Sequence, residues 1–237
     1  MNKPKIAFLG TPDFVDVVRE TLKNNFELVE DAAEADLLVV AAYGKILEEQ
    51  ELNAAKYGGI NIHPSLLPKY RGPSPLQSAI LNGDQVTGVT IIKMDPEVDH
   101  GPILAQQELA VNPDETFESL AKKSFELGAQ MLIELIPAYI EGKIELQEQN
   151  HQQATFCDRI AKKDGFFEID NPPSPEELNR MIRAYYPWPS AWTRWNGKVL
   201  KLFPDRKIQL EGKKVMSIGE FLRGYPTLPK TIVQSTN

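Results

Sequence analysis

The sequence predicts an α/β fold built on a mostly parallel sheet, with a small β module after it. Short apolar runs at Lys5 to Leu9, Asp36 to Ala42, Gly59 to His63 and Val86 to Met94 alternate with stretches of helical spacing, so strands and helices are laid down in turn. The run DLLVVAA at 36–42 is apolar at every position after the first, which suits a parallel strand covered on both faces. Beyond Pro187 the apolar runs shorten and turn residues separate them, as in a module of short strands.

Taken in order, Gly10 to Pro12 turns the first strand into a helix whose apolar positions Phe14, Val17, Val18 and Leu22 keep helical spacing. Phe26 to Val29 is a second strand. Only about seven residues separate it from the next, fewer than the dozen or so that a parallel crossover usually takes, so the strand order is open here. A helix at Pro75 to Leu81 stops at Asn82-Gly83, between the strands at 59–63 and 86–94. Asp114 is expected to cap a long amphipathic helix with a buried stripe of Phe117, Leu120, Ala121, Ser124, Leu127, Met131, Leu132 and Leu135, which Pro137 kinks or ends. ELQEQNHQQAT at 145–155 is polar and aperiodic, a linker by composition. Ser174-Pro175-Glu176-Glu177 is a capping box with Pro at the first helical position, ahead of Leu178, Met181, Ile182 and Tyr185. The resulting organisation is a larger domain over 1–144, a linker over 145–157 and a small module over 158–237.

At 237 residues, 42% of them hydrophobic and 25% charged, the chain has the composition of a soluble globular protein with room for one full domain and one small one. No apolar run approaches the roughly 20 residues that cross a bilayer, so no membrane span is expected. The opening MNKPKIAFLG lacks the apolar length and small-residue cleavage site of an export signal. Cys157 is single, which rules out an internal disulfide and fits a reducing cytoplasm. The net charge of −7 argues against a generic nucleic-acid binder, but it is uneven: residues 1–179 hold 15 Lys and Arg against 30 Asp and Glu, net −15, whereas 180–237 hold 11 against 3, net +8. A basic module on an acidic body suits a polyanionic partner, and a solvated basic face would give the same count.

The residues able to do chemistry gather in GGINIHPSLLPKYRGPSP, Gly58 to Pro75, and in MDPEVDHGPIL, Met94 to Leu104. Asn61 and His63 alternate along a strand and point to one side of it, at a strand end where open α/β sheets bind ligands. Pro96 and Gly101 bracket a tight loop that returns the Asp99 carboxylate to the same rim. Ser65 lies in an SLLP turn, unlike a G-x-S-x-G elbow, and Cys157 is remote, so direct attack by a substrate is the natural chemistry. For acyl transfer to an amine, the Asn61 amide would donate to the developing oxyanion, a role worth about 10²–10³ in rate. His63 would assist that oxyanion or move a proton, and Asp99 would hold the imidazole and help accept the amine's proton, for roughly 10²–10⁴. Each also has an ordinary structural reading: Asn61 as a turn former, His63 as a satisfied histidine, Asp99 as a loop cap. A metal site of His63, Asp99 and His100 is the weaker alternative, because neither H-E-x-x-H nor Cys/His ligand spacing occurs, and no metal is expected.

NIHPSLLPKYRGPSPLQSAIL followed by GVTIIKMDPEVDHGPIL resembles the formyltransferase superfamily that uses 10-formyltetrahydrofolate, and FLGTPDF and VVAAYGKIL extend the match. The resemblance implies the Rossmann-like formyltransferase fold, with 10-formyltetrahydrofolate as formyl donor. It places Asn61, His63 and Asp99 on the catalytic trio and Ser65, Leu66, Leu67 and Pro68 on the folate-binding turn, with Tyr43 to Leu47 walling the pterin pocket. In the C-terminal half, ATFCDRIAKKDGFFEID, IRAYYPWPSAWTRWNGKVLKL and GKKVMSIGEFLRGYP are similar to the branch that formylates methionyl-tRNA, whose second domain is a small OB-like barrel contacting tRNA. That similarity implies initiator methionyl-tRNA as partner and a cytoplasmic monomer serving translation initiation. It makes Arg194, Lys198, Lys201, Arg206, Lys207, Lys213 and Lys214 the phosphate contacts.

The departures bear on the same reading. Between Leu22 and Asp36 the family carries a much longer segment with a basic loop directed at the acceptor stem, and here NNFELVEDAAEA stands in its place. KLFPDRKIQLEGKKVMS leaves room for about half the usual barrel strands, and His100 stands where the family more often has Thr. The first reading is formyl transfer to methionyl-tRNA. The alternative is transfer to a small amine, such as a nucleotide-linked amino sugar or glycinamide ribonucleotide. A third, folate or RNA binding without catalysis, is opposed by the intact Asn61, His63 and Asp99, while PWPSAW and the basic tail favour the first over the second.

Overall fold

The computed structural model describes residues 3–11 and 13–234, so Pro12 of the expected turn lies outside the described residues. Contacts gather the chain into two compact units. One holds Met1–Pro75, Val86–Ala110 and Leu120–Asp158, the other Leu76–Gln85, Val111–Ser119 and Arg159–Asn237. In chain order the elements up to the long helix are β1 (Lys5–Gly10), a 3-10 turn at Asp13–Val15, α1 (Asp16–Asn25), β2 (Glu27–Val29), β3 (Leu37–Ala41), α2 (Glu49–Leu52), β4 (Gly59–His63), α3 (Pro75–Asn82), β5 (Val86–Lys93), β6 (Ile103–Ala110) and α4 (Phe117–Ile140).

The first unit is a six-stranded sheet in the order β2-β1-β3-β4-β5-β6. The ladders from β2 to β4 are parallel, whereas β4 with β5 and β5 with β6 are antiparallel, so three of the five ladders keep the mostly parallel sheet that the sequence suggested and its β5–β6 edge makes it mixed. The segment 94–102 is too short to carry the chain back along the sheet, which makes β6 return beside β5 in the opposite sense. β6 itself went unforeseen, because ILAQQELA has a polar, exposed middle and no run of apolar residues. The short link from β2 to β3 has a simple geometry. Val29 sits opposite Ala7 and Leu37 opposite Ile6, so the link retreats by about one residue's rise along the sheet and needs no full crossover helix.

β3 carries the run that the sequence assigned to a doubly covered strand, and all five of its residues are buried. Leu37, Val39 and Ala41 join the core formed with α1 and α4, and Leu38 and Val40 join Leu47, Leu52 and Ala55 on the other face. Ile60 and Ile62 of β4 face α4. There a Cβ on Gly128 would lie 2.6 Å from Ile62 Cγ2, so only glycine lets the helix pack this close. The helix starts at Phe117 and is capped by Thr116, whose Oγ1 accepts from the Ser119 amide at 3.2 Å, in place of the expected Asp114. It runs through Pro137 to Ile140, so of the two outcomes read for Pro137 the proline does not end the helix.

The segment 145–157, polar enough to read as a linker, is bonded into this first unit. Gln147 exchanges main-chain hydrogen bonds with Ile103 at 2.8 and 2.9 Å, and Phe156 bridges Arg71 in parallel.

In the second unit α5 (Pro175–Ala184) starts at the capping box read from the sequence, with Ser174 accepting from the Glu177 amide. It covers a four-stranded antiparallel sheet in the order β10-β9-β8-β7, made of β7 (Ala191–Trp195), β8 (Lys198–Phe203), β9 (Lys207–Leu210) and β10 (Met216–Ser217). Asn196-Gly197 and Asp205-Arg206 make its two tight turns with both residues at positive φ, the backbone that joins twisted strands most directly. Two helices absent from the sequence reading, α6 (Ile218–Gly224) and α7 (Lys230–Gln234), complete the unit. Leu178, Ile182, Leu200, Leu202, Ile208 and Phe221 form its core. Alternation leaves Arg194 and Lys201 on the opposite face of the sheet, and Lys198, Arg206, Lys207, Lys213 and Lys214 exposed at strand ends and turns.

Candidate active site

Because Ile60 and Ile62 are committed to the core beneath α4, alternation turns Asn61 and His63 to the other face of β4. Asp99 reaches them by a longer route than a parallel neighbour would offer. β5 runs against β4, and its last residue, Lys93, lies opposite Ile60 near the start of β4, so the segment 94–102 must double back. It does so with Asp99 at φ 51, a left-handed backbone that Asp tolerates better than most residues, and with Lys93 N bonded to Pro102 O at 2.9 Å across the base.

The three side chains then meet. Asn61 Nδ2 donates to Asp99 Oδ1 at 3.3 Å, and His63 Nδ1 lies 3.4 Å from the same oxygen. His63 Nε2 donates to the Tyr70 carbonyl at 2.9 Å, since a carbonyl can only accept. Asp99 Oδ2 accepts from the Gly72 amide at 2.8 Å. Burial pushes the Asp99 carboxyl up, but the His63 ring, the Gly72 amide and the Arg71 charge outweigh it and hold the group below the usual carboxylate value. The site therefore offers an ionised carboxylate, an imidazole tied to it, and an amide with one hydrogen on Asp99 and a second to give.

The turn after β4 is braced from β5 and β6. Thr90, fully buried, donates from Oγ1 to Ser65 O at 2.6 Å and accepts from Leu67 N at 3.2 Å. Gln106 Nε2 donates to Thr90 Oγ1 at 2.8 Å and to Leu67 O at 3.0 Å. Ser65 is also fully buried, and its hydroxyl donates to Lys69 O at 2.6 Å. Leu67 is buried and followed by a cis peptide to Pro68, while Leu66 and Pro68 keep partial exposure. Gly88 passes beneath this turn, where a Cβ would overlap Leu66 and the Gln107 carbonyl. At 43–47, Thr11 donates to Tyr43 O at 3.0 Å, Leu47 is buried, and Ile46 is 78% exposed.

His100 does not join the trio. It bonds Asp95 through Nδ1 at 2.7 Å and stacks on His151 with ring centres 4.1 Å apart. Among the described residues no group of His, Cys, Asp and Glu side chains is placed to hold a metal ion. Cys157 is buried, with Sγ 3.3 Å from the Arg71 carbonyl.

Sequence reasoning missed the groups that hold Asp99. Gln149 Nε2 donates to the carbonyls of Asp99 and Gly101 at 2.9 and 2.7 Å, and Arg71 donates to Gln149 Oε1. Gln149 sits in the polar stretch taken for a linker, and its signal, one glutamine among several, is invisible without the contact partner. Thr90 and Gln106 were missed for a similar reason, since each acts through a turn far from it in sequence.

Comparison with known proteins adds to this geometry. Residues 11–136 match the family model described as formyl transferase, and residues 159–205 match the one described as formyl transferase, C-terminal domain. A methionyl-tRNA formyltransferase of Chloroflexus aggregans is 44% identical over 211 residues, covering 87% of this chain and 67% of its own. One from a Roseiflexus species is 46% identical over 190 residues, covering 80% and 58%. The chain spans between 53% and 71% of the length of eight such curated relatives. Among solved structures, HypX from Aquifex aeolicus in complex with tetrahydrofolic acid superposes with a TM-score of 0.74 at 14% identity, over 96% of this chain and 48% of that one, a likeness of fold.

Proposed function

The chain belongs to the formyl transferase family, and on that premise we propose that it transfers a formyl group from 10-formyltetrahydrofolate to the free amine of initiator methionyl-tRNA. The observation that carries this reading is the convergence of Asn61, His63 and Asp99 on one face of β4, with both the amide and the imidazole within 3.4 Å of one carboxylate oxygen. The methionyl-tRNA formyltransferases at 44% and 46% identity favour that acceptor, and the tetrahydrofolic acid bound by HypX favours a folate donor.

In this reaction the amine attacks the formyl carbon, the carbon's bond to N10 of the donor breaks, and one proton passes from the amine to N10. Asn61 keeps one amide hydrogen on Asp99 and gives the other to the oxyanion that forms on the formyl oxygen. As the attacking nitrogen gains positive charge its proton becomes acidic, and the ionised Asp99 takes it. His63, whose Nε2 is occupied by the Tyr70 carbonyl, holds the Asp99 carboxylate from the Nδ1 side, and Asp99, having taken the amine's proton, delivers it to N10 as the carbon–nitrogen bond breaks. The turn Ser65 to Pro68, fixed by Thr90 and Gln106, forms the donor wall through backbone geometry and the Leu66 and Pro68 surfaces. The net +8 of residues 180–237, to which Arg194, Lys198, Arg206, Lys207, Lys213 and Lys214 contribute exposed charge on and beside the β7–β10 sheet, supports RNA as the acceptor's carrier.

The test is incubation of the purified chain with 10-formyltetrahydrofolate and methionyl-tRNA, followed by hydrolysis and detection of formylmethionine. No formylmethionine, with formyl transfer to a small amine instead, would overturn the choice of acceptor.

A further inference from the structure

Asp99 is held from two directions, and both lead to one residue. Its Oδ2 accepts from the Gly72 amide at 2.8 Å, and its main-chain carbonyl accepts from Gln149 Nε2 at 2.9 Å. The other hydrogen of the Gln149 amide goes to the Gly101 carbonyl at 2.7 Å, so this side chain bridges both sides of the turn that carries Asp99 at φ 51. A non-glycine residue keeps such a backbone where its surroundings over-determine it.

Arg71 stands behind both contacts. It immediately precedes Gly72, and its own backbone is locked by bonds to Thr155 O and from Cys157 N, each 2.8 Å. Its guanidinium donates to Gln149 Oε1 from Nε at 3.2 Å and from Nη2 at 2.7 Å, and Nη2 also meets His151 Nδ1 at 2.8 Å. A guanidinium only donates, so the Gln149 oxygen faces Arg71, its NH2 faces the two carbonyls, and His151 Nδ1 presents a lone pair. Gln149 and Arg71 are only 5% and 4% exposed. The direct partners of this buried cation are uncharged acceptors, and its charge acts on Asp99.

We propose that Arg71 and Gln149 are positioning residues for formyl transfer: they clamp the loop of Asp99 in the left-handed turn that presents its carboxylate to Asn61 and His63. The proposal rests on Asp99 being the reacting carboxylate. Gln149 sets where the loop lies. Arg71 sets where Gln149 and Gly72 lie, and its charge helps to keep Asp99 ionised, His63 being the titratable group that faces the same carboxylate.

Three variants of the full chain separate this from a merely structural role. Gln149→Glu keeps the shape and the contact with Arg71 but has no hydrogens for the Asp99 and Gly101 carbonyls. Its kcat with 10-formyltetrahydrofolate and methionyl-tRNA falls by about a hundredfold, while KM for either substrate stays within about threefold. In Arg71→Met the acid limb of the kcat profile moves to higher pH, because Asp99 protonates more readily without the cation, and Arg71→Lys restores the limb. Unchanged kcat in Gln149→Glu together with an unmoved acid limb in Arg71→Met would overturn the clamp. If the parent chain transfers no formyl group, the reading of the site has failed, and the clamp is judged without turnover. The 13C carboxyl signal of Asp99, assigned by its loss in Asp99→Asn, should then titrate at higher pH in Arg71→Met, and an unmoved titration would overturn the clamp as well.

Discussion

Replacing Asp99 by Asn changes the charge and little else. Asn tolerates the left-handed backbone at φ 51 about as well as Asp, so the loop is not strained by the substitution. Its amide oxygen can still accept from the Gly72 amide, now at 2.8 Å, which leaves its NH2 facing the Asn61 amide and the His63 ring, two groups that previously met a carboxylate oxygen. Those contacts are long, 3.3 and 3.4 Å, so their loss lies near the low end for bonds to a charged group, about 1.5 kcal/mol, and relief of the desolvation of Asp99 offsets part of it. Turnover loses a proton acceptor and should fall by about 10²–10⁴, which is roughly 3–5 kcal/mol of barrier. The effect on rate therefore exceeds the effect on stability. Initial rates of methionyl-tRNA formylation at saturating donor read the first, and urea unfolding over a pH series reads the second. Because the folded carboxyl titrates below its unfolded value near 3.9, the wild-type advantage in stability is fully present above about pH 4 and vanishes as pH falls through the folded value. Turnover within about threefold of wild type would refute the assignment of Asp99 as the proton acceptor.

Other outcomes follow from the same geometry. Asn61→Ala and His63→Ala should each lower turnover by about two powers of ten, and the double variant should be little worse than the poorer single one, because both act on one tetrahedral intermediate; additive losses in kcat would count against a shared role. Thr90→Val removes the hydroxyl that bonds Ser65 O, Leu67 N and Gln106, so the Ser65 to Pro68 turn loosens and the donor KM rises more than kcat falls, as steady-state kinetics over a donor series will show. Affinity for tRNA should fall steeply with salt, and charge reversal at Lys198 with Lys201, or at Lys213 with Lys214, should flatten the log-log slope by roughly one to two, read by filter binding.

The parts of the fold legible in the sequence were those where burial leaves a mark on residue type. β3 is apolar throughout because it is covered on both faces, and α5 announces itself through a side-chain cap that needs particular residues at fixed offsets. Asn61, His63 and Asp99 were readable because alternation places the first two together and the motif places the third nearby. What stayed hidden depends on pairing between distant segments. Nothing local in VTGVTIIK distinguishes an antiparallel β5 from a parallel one, and the exposed middle of β6 gives no apolar run to find. Gln149 is polar, buried and bonded to the Asp99 and Gly101 carbonyls, yet in a single sequence it looks like its solvent-facing neighbours. Polarity alone cannot separate a linker from a strand of hydrogen-bonding partners.

The docking of residues 147–157 also places the site late in the folding of the chain. Asn61 meets Asp99 across 38 residues, but Arg71 meets Gln149 across 78 and His151 across 80. Closing so long a loop costs entropy that only the finished docking of 147–157 returns, so the sheet can be assembled while the carboxylate is still unsupported. The reverse holds on the way out. The stretch is tied down by main-chain bonds at Gln147, Thr155 and Cys157 and by the side chains around Arg71, and it contributes little to the apolar core, so it belongs to the part of the molecule that opens at low cost. Mild denaturant should thus disarm the enzyme while most of its secondary structure persists, and amide exchange at 147–157 should track activity more closely than exchange in β3 does.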